Sequence, residues 1–549
     1  MVATATTTIM SHKRRLSILF VSCCWLAGTA AGFQSLSSTP KRSLICRSAK
    51  KASTKKTATA PSSSSSRQNR IPALLEWAEK VAEIQWSKQA LTLGDTPGAG
   101  LGFVAQKAVE ANQVLLQVPD TAALTIEAPN GGPNDNGKLS KACRNSGVSL
   151  KDIPWYAQFS MYLYMLKQGN SDLDRTPWLE SLPASFDTPL HWSVEQRSEW
   201  LQYDSMVKSV ERQERKWNKL YQTVQKVMPQ MTWEEFCWGC ETARSRAFSG
   251  STAGKFNPGI YAFTLLLVTI YVGLGLGTLE QAANGAGVVF SASVLKDFVL
   301  PKFFKSKVYV ICPVIDMANH NSVMCNAQVS LEYFANAYSL ATTRPISANQ
   351  PVEISYGNDR SNDQLLQYYG FLEPNNPADV YVMPPLREWP LQAMEEATGR
   401  SVSGGRLEKL NKAGLLGSVI SEKDTDDDDD GGNNPWGGVV LTRTGGIDPA
   451  VLSALRALFS ADEEWAAAGE AVGNFAESVS AANEQAALLA AKTAIQLELE
   501  GKATTLQEDL DQIKRVDQGL DKMTDAEELM AIRFRVEKKK LLMDSMAKL

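Results

Sequence analysis

Apolar and polar residues follow a helical period in three long stretches of the chain. In residues 71–90 the apolar side chains recur three and four positions apart, which predicts one amphipathic helix. Residues 140–229 are rich in Trp, Tyr and Leu at similar spacing and are expected to be mostly helical. Beyond residue 390 the pattern is helical again.

Short runs of β-branched and aromatic residues predict strands between these helical stretches. The runs are 103–105, 114–118, 308–314, 327–331 and 352–356. Because they do not alternate regularly with helices, the pattern predicts an α+β unit split by helical insertions and then an all-helical C-terminal unit.

Basic residues are concentrated at the N-terminus of this 549-residue chain. Residues 1–70 contain twelve Lys or Arg and no Asp or Glu, which leaves 44 basic against 60 acidic residues in 71–549. Such an acidic body does not suit a nucleic-acid backbone, so no nucleic-acid partner is expected. Only three histidines are present, which argues against a His-rich metal centre, and no metal site is predicted.

The first 70 residues have the layout of a two-part targeting leader. Residues 1–31 combine a basic start, an apolar run and small residues, which is typical of a signal peptide. Residues 32–70 are basic and rich in Ser and Thr, as in a transit peptide. Together with Phe33 they resemble the plastid leaders of algae with secondary plastids. A plastid location, stromal or membrane-associated, is therefore predicted, and secretion or a single membrane anchor is the alternative. The scattered cysteines argue against secretion.

Four separated segments carry the residues most suited to chemistry: 98–103, 245–248, 313–320 and 354–371. The first lacks the spacing of a dinucleotide-binding glycine motif. Its small residues would nevertheless allow a ligand to come close to the backbone.

In their order along the chain, these segments resemble the SET-domain protein methyltransferases of the Rubisco large-subunit lysine methyltransferase type. The matching residues are Gly100-Leu101-Gly102, Trp178-Leu179, Leu182-Pro183, Ser245-Arg246-Ala247-Phe248, Asp316-Met317-Ala318-Asn319-His320, Tyr356-Gly357, Asn362 and Tyr369-Gly370-Phe371. Residues 504–509 and 533–542 are similar to the family's substrate-binding domain.

The resemblance implies a fold for nearly all of residues 71–549. A SET β-fold of short sheets would occupy 71–385, with a helical insertion at about 140–245 and an apolar insert at about 256–300. An all-α substrate-binding domain would occupy 386–549, interrupted by an acidic, solvated loop at 424–438.

The same resemblance implies methyl transfer from S-adenosylmethionine to a protein lysine. The implied cofactor-binding residues are Gly100, Leu101, Gly102, Arg246, Asn319, His320 and Tyr356. Arg246 would hold the cofactor carboxylate, and Asn319 and His320 would meet chiefly the adenine. Tyr356 would be the catalytic residue, with its hydroxyl near the methyl group and sulfur. Tyr369 would line the lysine channel.

The family suggests a plastid substrate such as the Rubisco large subunit or an aldolase. The alternative function is a non-catalytic SET scaffold of a membrane-associated or transcription complex. Retention of Arg246, Asn319, His320 and Tyr356 favours activity, because packing requires none of these side chains. Methylation of a histidine, which some relatives perform, is a third hypothesis.

The apolar insert departs from the family. Residues 260–279 carry no charge and are long enough for a membrane span. A single crossing would put Arg246 and Asn319 on opposite sides of a bilayer. The segment must therefore cross twice, dip in and return, or pack as a buried hairpin on the catalytic unit. The sequence leaves membrane contact through 260–300 and the buried hairpin both open.

Overall fold

The computed structural model describes residues 70–549 with gaps at 97, 129–131, 171, 252–257, 277, 295–306, 333–334, 358, 418–437, 470 and 521–524. The proposed leader and nearly all of the acidic loop lie outside the described residues.

Fifteen strands are defined in the described part of the chain. They are β1 (Gln85–Trp86), β2 (Leu91–Thr96), β3 (Gly100–Ala105), β4 (Val114–Pro119), β5 (Leu124–Ala128), β6 (Gly132–Pro133), β7 (Phe248–Ser251), β8 (Lys307–Ile311), β9 (Asn319–His320), β10 (Ala327–Glu332), β11 (Ala337–Thr342), β12 (Pro351–Ile354), β13 (Val380–Met383), β14 (Val439–Thr442) and β15 (Gly446–Ile447).

The α-helices fall in three groups. The helices that precede the apolar insert are α1 (Ile71–Lys80), α2 (Lys138–Asn145), α3 (Trp155–Lys167), α4 (Thr176–Ser181), α5 (Val194–Leu201), α6 (Asp204–Val227) and α7 (Trp233–Arg246). The apolar insert forms α8 (Pro258–Gly273) and α9 (Leu279–Val294), and α10 (Asn362–Tyr369) follows the last strand of the SET part. The C-terminal part contains α11 (Leu391–Thr398), α12 (Gly404–Lys412), α13 (Pro449–Leu458), α14 (Asp462–Ala467), α15 (Ala481–Glu500), α16 (Leu506–Asp517) and α17 (Ala526–Lys548).

The strands form small sheets that join segments distant in sequence. Their orders are β1-β4-β11-β10, β2-β3-β12-β9, β6-β5-β8-β7 and β13-β14-β15. In the second sheet β3 pairs antiparallel with β12, and β12 pairs parallel with β9. The glycine-rich segment is therefore held in the same sheet as Asn319 and His320, which were predicted to share a site.

The first helix is shorter than predicted. It ends at Lys80, and the chain then turns through Glu83, whose φ is +54°, before β1 begins. Only the part of the apolar stripe up to Ala78 belongs to this helix. Ile84 lies beyond the helix and is nevertheless buried, and the predicted helix, 71–90, extends ten residues too far.

Two apolar cores support the two parts of the chain. One holds the SET sheets and α3, with Phe103, Leu116 and Phe159 fully buried. The other unites the C-terminal helices with Tyr203 from the helical insertion. The C-terminal part is helical as expected except for β14 and β15, which pair with β13, so the prediction of an all-α domain is wrong in this detail.

The apolar insert is a pair of helices that contact each other. Most of its described side chains are exposed, Leu265 to 68%, whereas Ala282 is buried, so the buried-hairpin interpretation is wrong for most of the insert. Among the residues that the structure describes, no helix combines the length and apolarity that a bilayer crossing needs.

A histidine in the scaffold gives a pH-dependent contribution to stability. Nε2 of His191 lies 2.9 Å from a carboxylate oxygen of buried Glu241, which also accepts a hydrogen bond from Thr188. The hydrogen bond to Glu241 raises the pKa of His191 above its ordinary value of 6.5, although burial acts against it.

We expect His191→Gln to lower stability most under mildly acidic conditions. Because the pKa of His191 is raised in the folded state, its contribution is complete below about pH 6.5 and is lost as the pH rises through the folded pKa. Urea unfolding of both proteins across this range checks the expectation. A stability difference that grows as the pH rises would contradict it.

Candidate active site

A cavity of about 630 Å³ opens between the SET sheets and α10. Its walls include Arg246 and Phe248 at the junction of α7 and β7, Tyr356 after β12, and Tyr369 at the end of α10. Asp316, from segment 313–320, also lines the cavity, so the structure brings together residues from three of the four segments singled out in the sequence.

Arg246 is fixed at the cavity wall by Asp316. Its Nη1 donates to the Asp316 backbone oxygen at 2.9 Å and to the carboxylate at 3.1 Å. The carboxylate also accepts a hydrogen bond from the Trp178 indole. Burial raises the pKa of Asp316, and the Arg246 charge opposes that shift. Asp316 therefore positions the guanidinium, while the buried Nε of Arg246 has no hydrogen-bond partner.

A strained turn brings Asp316 to this position. Val314 has φ +73° and ψ −50°, a conformation that costs a β-branched residue about 1–3 kcal/mol. It is buried, and the turn leads into the short 3-10 helix Ile315–Met317 that carries Asp316. The surrounding core therefore holds the backbone in a strained form at the edge of the cavity.

Aromatic rings form a stack along one wall. The ring of Tyr356 lies between His320 and Tyr369, with 5.0 Å between centroids on each side. Phe371 meets this stack at an angle, 6.3 Å from Tyr356. Of these rings, Tyr356 and Tyr369 line the cavity, and their apolar carbons suit the methylene stem of a long side chain.

Tyr356 is held by hydrogen bonds at both its backbone and its hydroxyl. The hydroxyl donates to the Ala318 carbonyl at 2.8 Å, and the backbone N–H donates to Nδ1 of His320 at 3.0 Å. Burial raises the pKa of Tyr356 well above its ordinary value of 10. The phenol therefore stays protonated at neutral pH and acts as an oriented polar group, not as a base.

His320 supports Tyr356 and is also a predicted cofactor-binding residue. Since Nδ1 accepts a hydrogen bond, a neutral ring carries its proton on Nε2, which lies 3.5 Å from the Glu373 carboxylate. Burial would raise the pKa of Glu373, but His320 and hydrogen bonds from Ser322 lower it. Sequence reasoning missed Glu373, because it lies far from His320 along the chain and within no recognised motif.

Gly102 and Asn319 come together beside this cavity. A Cβ at Gly102 would lie 2.2 Å from the Asn319 side-chain nitrogen, which donates to Thr96 at 2.7 Å. Thr96 in turn donates to the Gly100 carbonyl. The glycine is therefore needed for the close approach of Asn319.

The predicted residues do not all share one surface. Arg246, Tyr356 and Tyr369 line the described cavity walls, whereas Gly100, Leu101, Gly102, Asn319 and His320 lie outside that lining. β3 and β9, which carry this second group, both pair with β12, and β12 ends shortly before Tyr356. The second group is therefore held in the sheet next to Tyr356. Sequence analysis also missed Trp155 and Tyr309, which stack at 4.2 Å and line the cavity.

We expect Gly102→Ala to displace Asn319 and to cost about 1–3 kcal/mol of folding stability. Gly94 is the matched control, because it lies opposite Gly102 in the β2–β3 pair and an added Cβ would meet only Val104, at 3.6 Å. Thermal unfolding of the two alanine variants compares them. Equal stability of the two would mean that the contact between Gly102 and Asn319 is not tight.

Known proteins resemble the chain in both sequence and fold. A family model described as Rubisco LSMT substrate-binding matches residues 421–542. N-lysine methyltransferase SETD6 of Rattus norvegicus is 23% identical over 363 residues, which are 65% of this chain and 66% of that protein. The chloroplastic ribulose-1,5 bisphosphate carboxylase/oxygenase large subunit N-methyltransferase of Pisum sativum is 22% identical over 302 residues, which cover 52% and 48%. The matches thus span about half to two thirds of these relatives.

A solved structure matches over more of the chain. The SET domain of LSMT bound to lysine and AdoHcy aligns with a TM-score of 0.53 and 17% identity, covering 87% of this chain and 91% of that one. The chain therefore has the SET-domain fold. The match of the substrate-binding family model to residues 421–542 agrees with the resemblance that the sequence motifs indicate.

Proposed function

We propose that the protein transfers a methyl group from S-adenosylmethionine to the side chain of a protein lysine in the plastid. The observation that carries the proposal is the convergence of Arg246, Tyr356 and Tyr369 on one cavity. It is supported by the similar proteins, which are named as lysine methyltransferases, and by the similar SET structure, which holds lysine and AdoHcy.

The residues present fit S-adenosylmethionine at its charged end. The free Nε of Arg246 is a buried donor at the cavity wall, which suits a carboxylate. Gly100, Leu101 and Gly102 would lie along the amino-acid part, and Asn319 and His320 would meet the adenine. The cofactor supplies an electrophilic methyl group on a sulfonium sulfur.

The chain's own task is to present a neutral amine in line with that methyl group. A free lysine has a pKa near 10.4, so about 4–5 kcal/mol separates it from the neutral form at pH 7. The aromatic rings of Tyr356 and Tyr369 in the cavity wall lower that cost by disfavouring the ammonium. The Tyr356 hydroxyl, fixed on Ala318, orients the reacting groups, and the amine proton leaves through water.

We place the protein in a plastid because its leader has the composition of a signal peptide followed by a transit peptide. The chloroplastic relative supports the same location. The Rubisco large subunit and a plastid aldolase are the first substrates to test. The proposal also includes membrane contact through residues 260–300, in which the segment touches the bilayer without crossing it.

The experiment combines calorimetry with methyl transfer. The full chain is titrated with S-adenosylmethionine and then incubated with plastid extract and cofactor that carries a labelled methyl group. We expect binding and labelled N-methyllysine in a plastid protein by mass spectrometry. Binding without transfer would support the scaffold alternative, and label on histidine would support the third hypothesis. Absence of binding would overturn the assignment.

Arg246→Lys tests the cofactor site separately. Lysine keeps the charge beside Asp316 but has no Nε donor in a planar fork, so we expect the affinity for S-adenosylmethionine to fall about tenfold. Arg533→Lys, at an exposed position in the C-terminal domain, is the control. Calorimetry measures both variants. Unchanged affinity for Arg246→Lys would remove Arg246 from the cofactor site.

A further inference from the structure

The α8–α9 hairpin exposes apolar side chains in almost every direction. Successive helical residues turn by about 100°, so the exposed positions of α8 point around most of its circumference. Only the side that holds Thr264 and Val268 is half-buried. The exposed large side chains of α8 are Phe263, Leu265, Leu266, Leu267, Ile270, Tyr271 and Val272.

The connection between the two helices is the most unusual part of the hairpin. Surface turns are normally polar, because water covers them. Here Leu274, Leu276 and Leu279 are 69%, 63% and 67% exposed. The leading end of the hairpin, from Leu274 to Leu279, is thus apolar as far as Glu280.

We propose that this hairpin inserts tip first into one leaflet of a lipid bilayer and holds the active-site cavity at the membrane surface. A protein partner or a second copy would cover one face of α8, whereas hydrocarbon covers all of its faces at once. Each helix has 16 residues, about 24 Å, which is less than the ~30 Å hydrocarbon core. The hairpin is therefore suited to dipping into the bilayer and returning.

The flanking sequence matches the chemistry of a lipid surface. Residues 295–307 contain four Lys and one Asp, together with three Phe, although residues 71–549 as a whole are acidic. Lysine attracts anionic headgroups, and apolar aromatic side chains partition to the membrane interface. This charge complementarity favours an anionic bilayer over an apolar protein surface.

The hairpin is connected directly to the active site, and this part of the inference rests on the proposed function. It leaves the SET part through β7 and returns through β8, and these strands pair with Phe248 opposite Val310. Phe248 lines the cavity, and so do Ser249 and its partner across the sheet, Tyr309. Insertion would therefore present the cavity to lysines of membrane-bound proteins in preference to those of freely diffusing ones.

Vesicle flotation tests the insertion without any need for methyl transfer. The full chain is mixed with vesicles of phosphatidylcholine and phosphatidylglycerol, or of phosphatidylcholine alone. We expect the wild type to float with both and more strongly with the anionic vesicles. In Leu274→Glu/Leu276→Glu, two carboxylates at the tip should reduce partitioning about a hundredfold.

The control is Leu520→Glu, which changes an equally exposed leucine, 71% exposed, in the C-terminal part. It should float like the wild type. A wild type that stays unbound, or a control that loses binding equally, would overturn the proposal. So would a dimer in analytical ultracentrifugation that the tip variant dissociates, since a second copy would then cover the hairpin.

A second readout separates this inference from the proposed function. Wild type and tip variant are incubated with plastid membranes or stroma and labelled S-adenosylmethionine. We expect the tip variant to lose label on membrane proteins only. Flotation without transfer to either fraction would overturn the proposed function and leave the insertion standing. Equal membrane labelling by both proteins would overturn the substrate preference.

Discussion

Tyr356→Phe is expected to lower the rate of methyl transfer by about 10²–10³-fold while the affinity for S-adenosylmethionine changes little. The Tyr356 hydroxyl is fixed on the Ala318 carbonyl, and its ring is held between His320 and Tyr369. Phenylalanine keeps the stacked ring and removes only the oriented polar group. Single-turnover transfer and calorimetric titration measure the two quantities.

Tyr221→Phe is the matched control for this substitution. Its hydroxyl also donates to a backbone carbonyl, that of Met231 at 2.9 Å, but it lies outside the described cavity lining. It should leave the transfer rate unchanged. If both variants lost the same activity, the loss would reflect general destabilisation, and if Tyr356→Phe kept full activity, Tyr356 would not be the catalytic residue.

Lys538→Met should destabilise the protein by about 3–5 kcal/mol. Lys538 is 3% exposed, and its ammonium donates to Asp363, to Asp379 at 2.8 Å and to the Val380 carbonyl at 2.7 Å. Removing it leaves two carboxylates with little access to water and without this shared partner. Because Asp363 lies in the first turn of α10, the loss should also loosen the helix that carries Tyr369.

The control is Lys540→Met, on the same helix. Its side chain is 37% exposed and pairs with Glu537, so its loss should cost at most about 1 kcal/mol. Urea unfolding compares the variants. Adding Asp363→Asn and Asp379→Asn to Lys538→Met should restore part of the stability, since the unpaired charges are then removed. No recovery would mean that packing, not charge, explains the loss.

Local pattern predicted five of the strands β1–β12, namely β3, β4, β8, β10 and β12, and none of the small C-terminal sheet. Residues 103–105 and 327–331 lie within β3 and β10, where apolar runs are bounded by turn residues. In β13 all four residues are buried, so no alternation marks them as a strand, and their partner β14 comes much later in the chain. Such pairings depend on tertiary contacts that local periodicity does not contain.

Of the predicted site residues, Arg246, Tyr356 and Tyr369 line the cavity, but the sequence did not indicate the contacts within the site. Family resemblance named Arg246, Asn319 and Tyr356, and the sheet order shows how the Asn319 and Tyr356 segments meet through β9 and β12. Asp316 accepts a hydrogen bond from one nitrogen of Arg246, and His320 supports Tyr356 through Nδ1. Both contacts depend on the geometry of side chains from segments that are distant in sequence. Motif spacing carries no information about either contact.

A crystal structure of the full chain with S-adenosylhomocysteine tests the central claim most directly. The account predicts the ligand's carboxylate at Nε of Arg246, its adenine beside Asn319 and His320, and its sulfur facing the Tyr356 hydroxyl. Density for the ligand away from these residues, or an aromatic stack closed off from the sulfur, would contradict it.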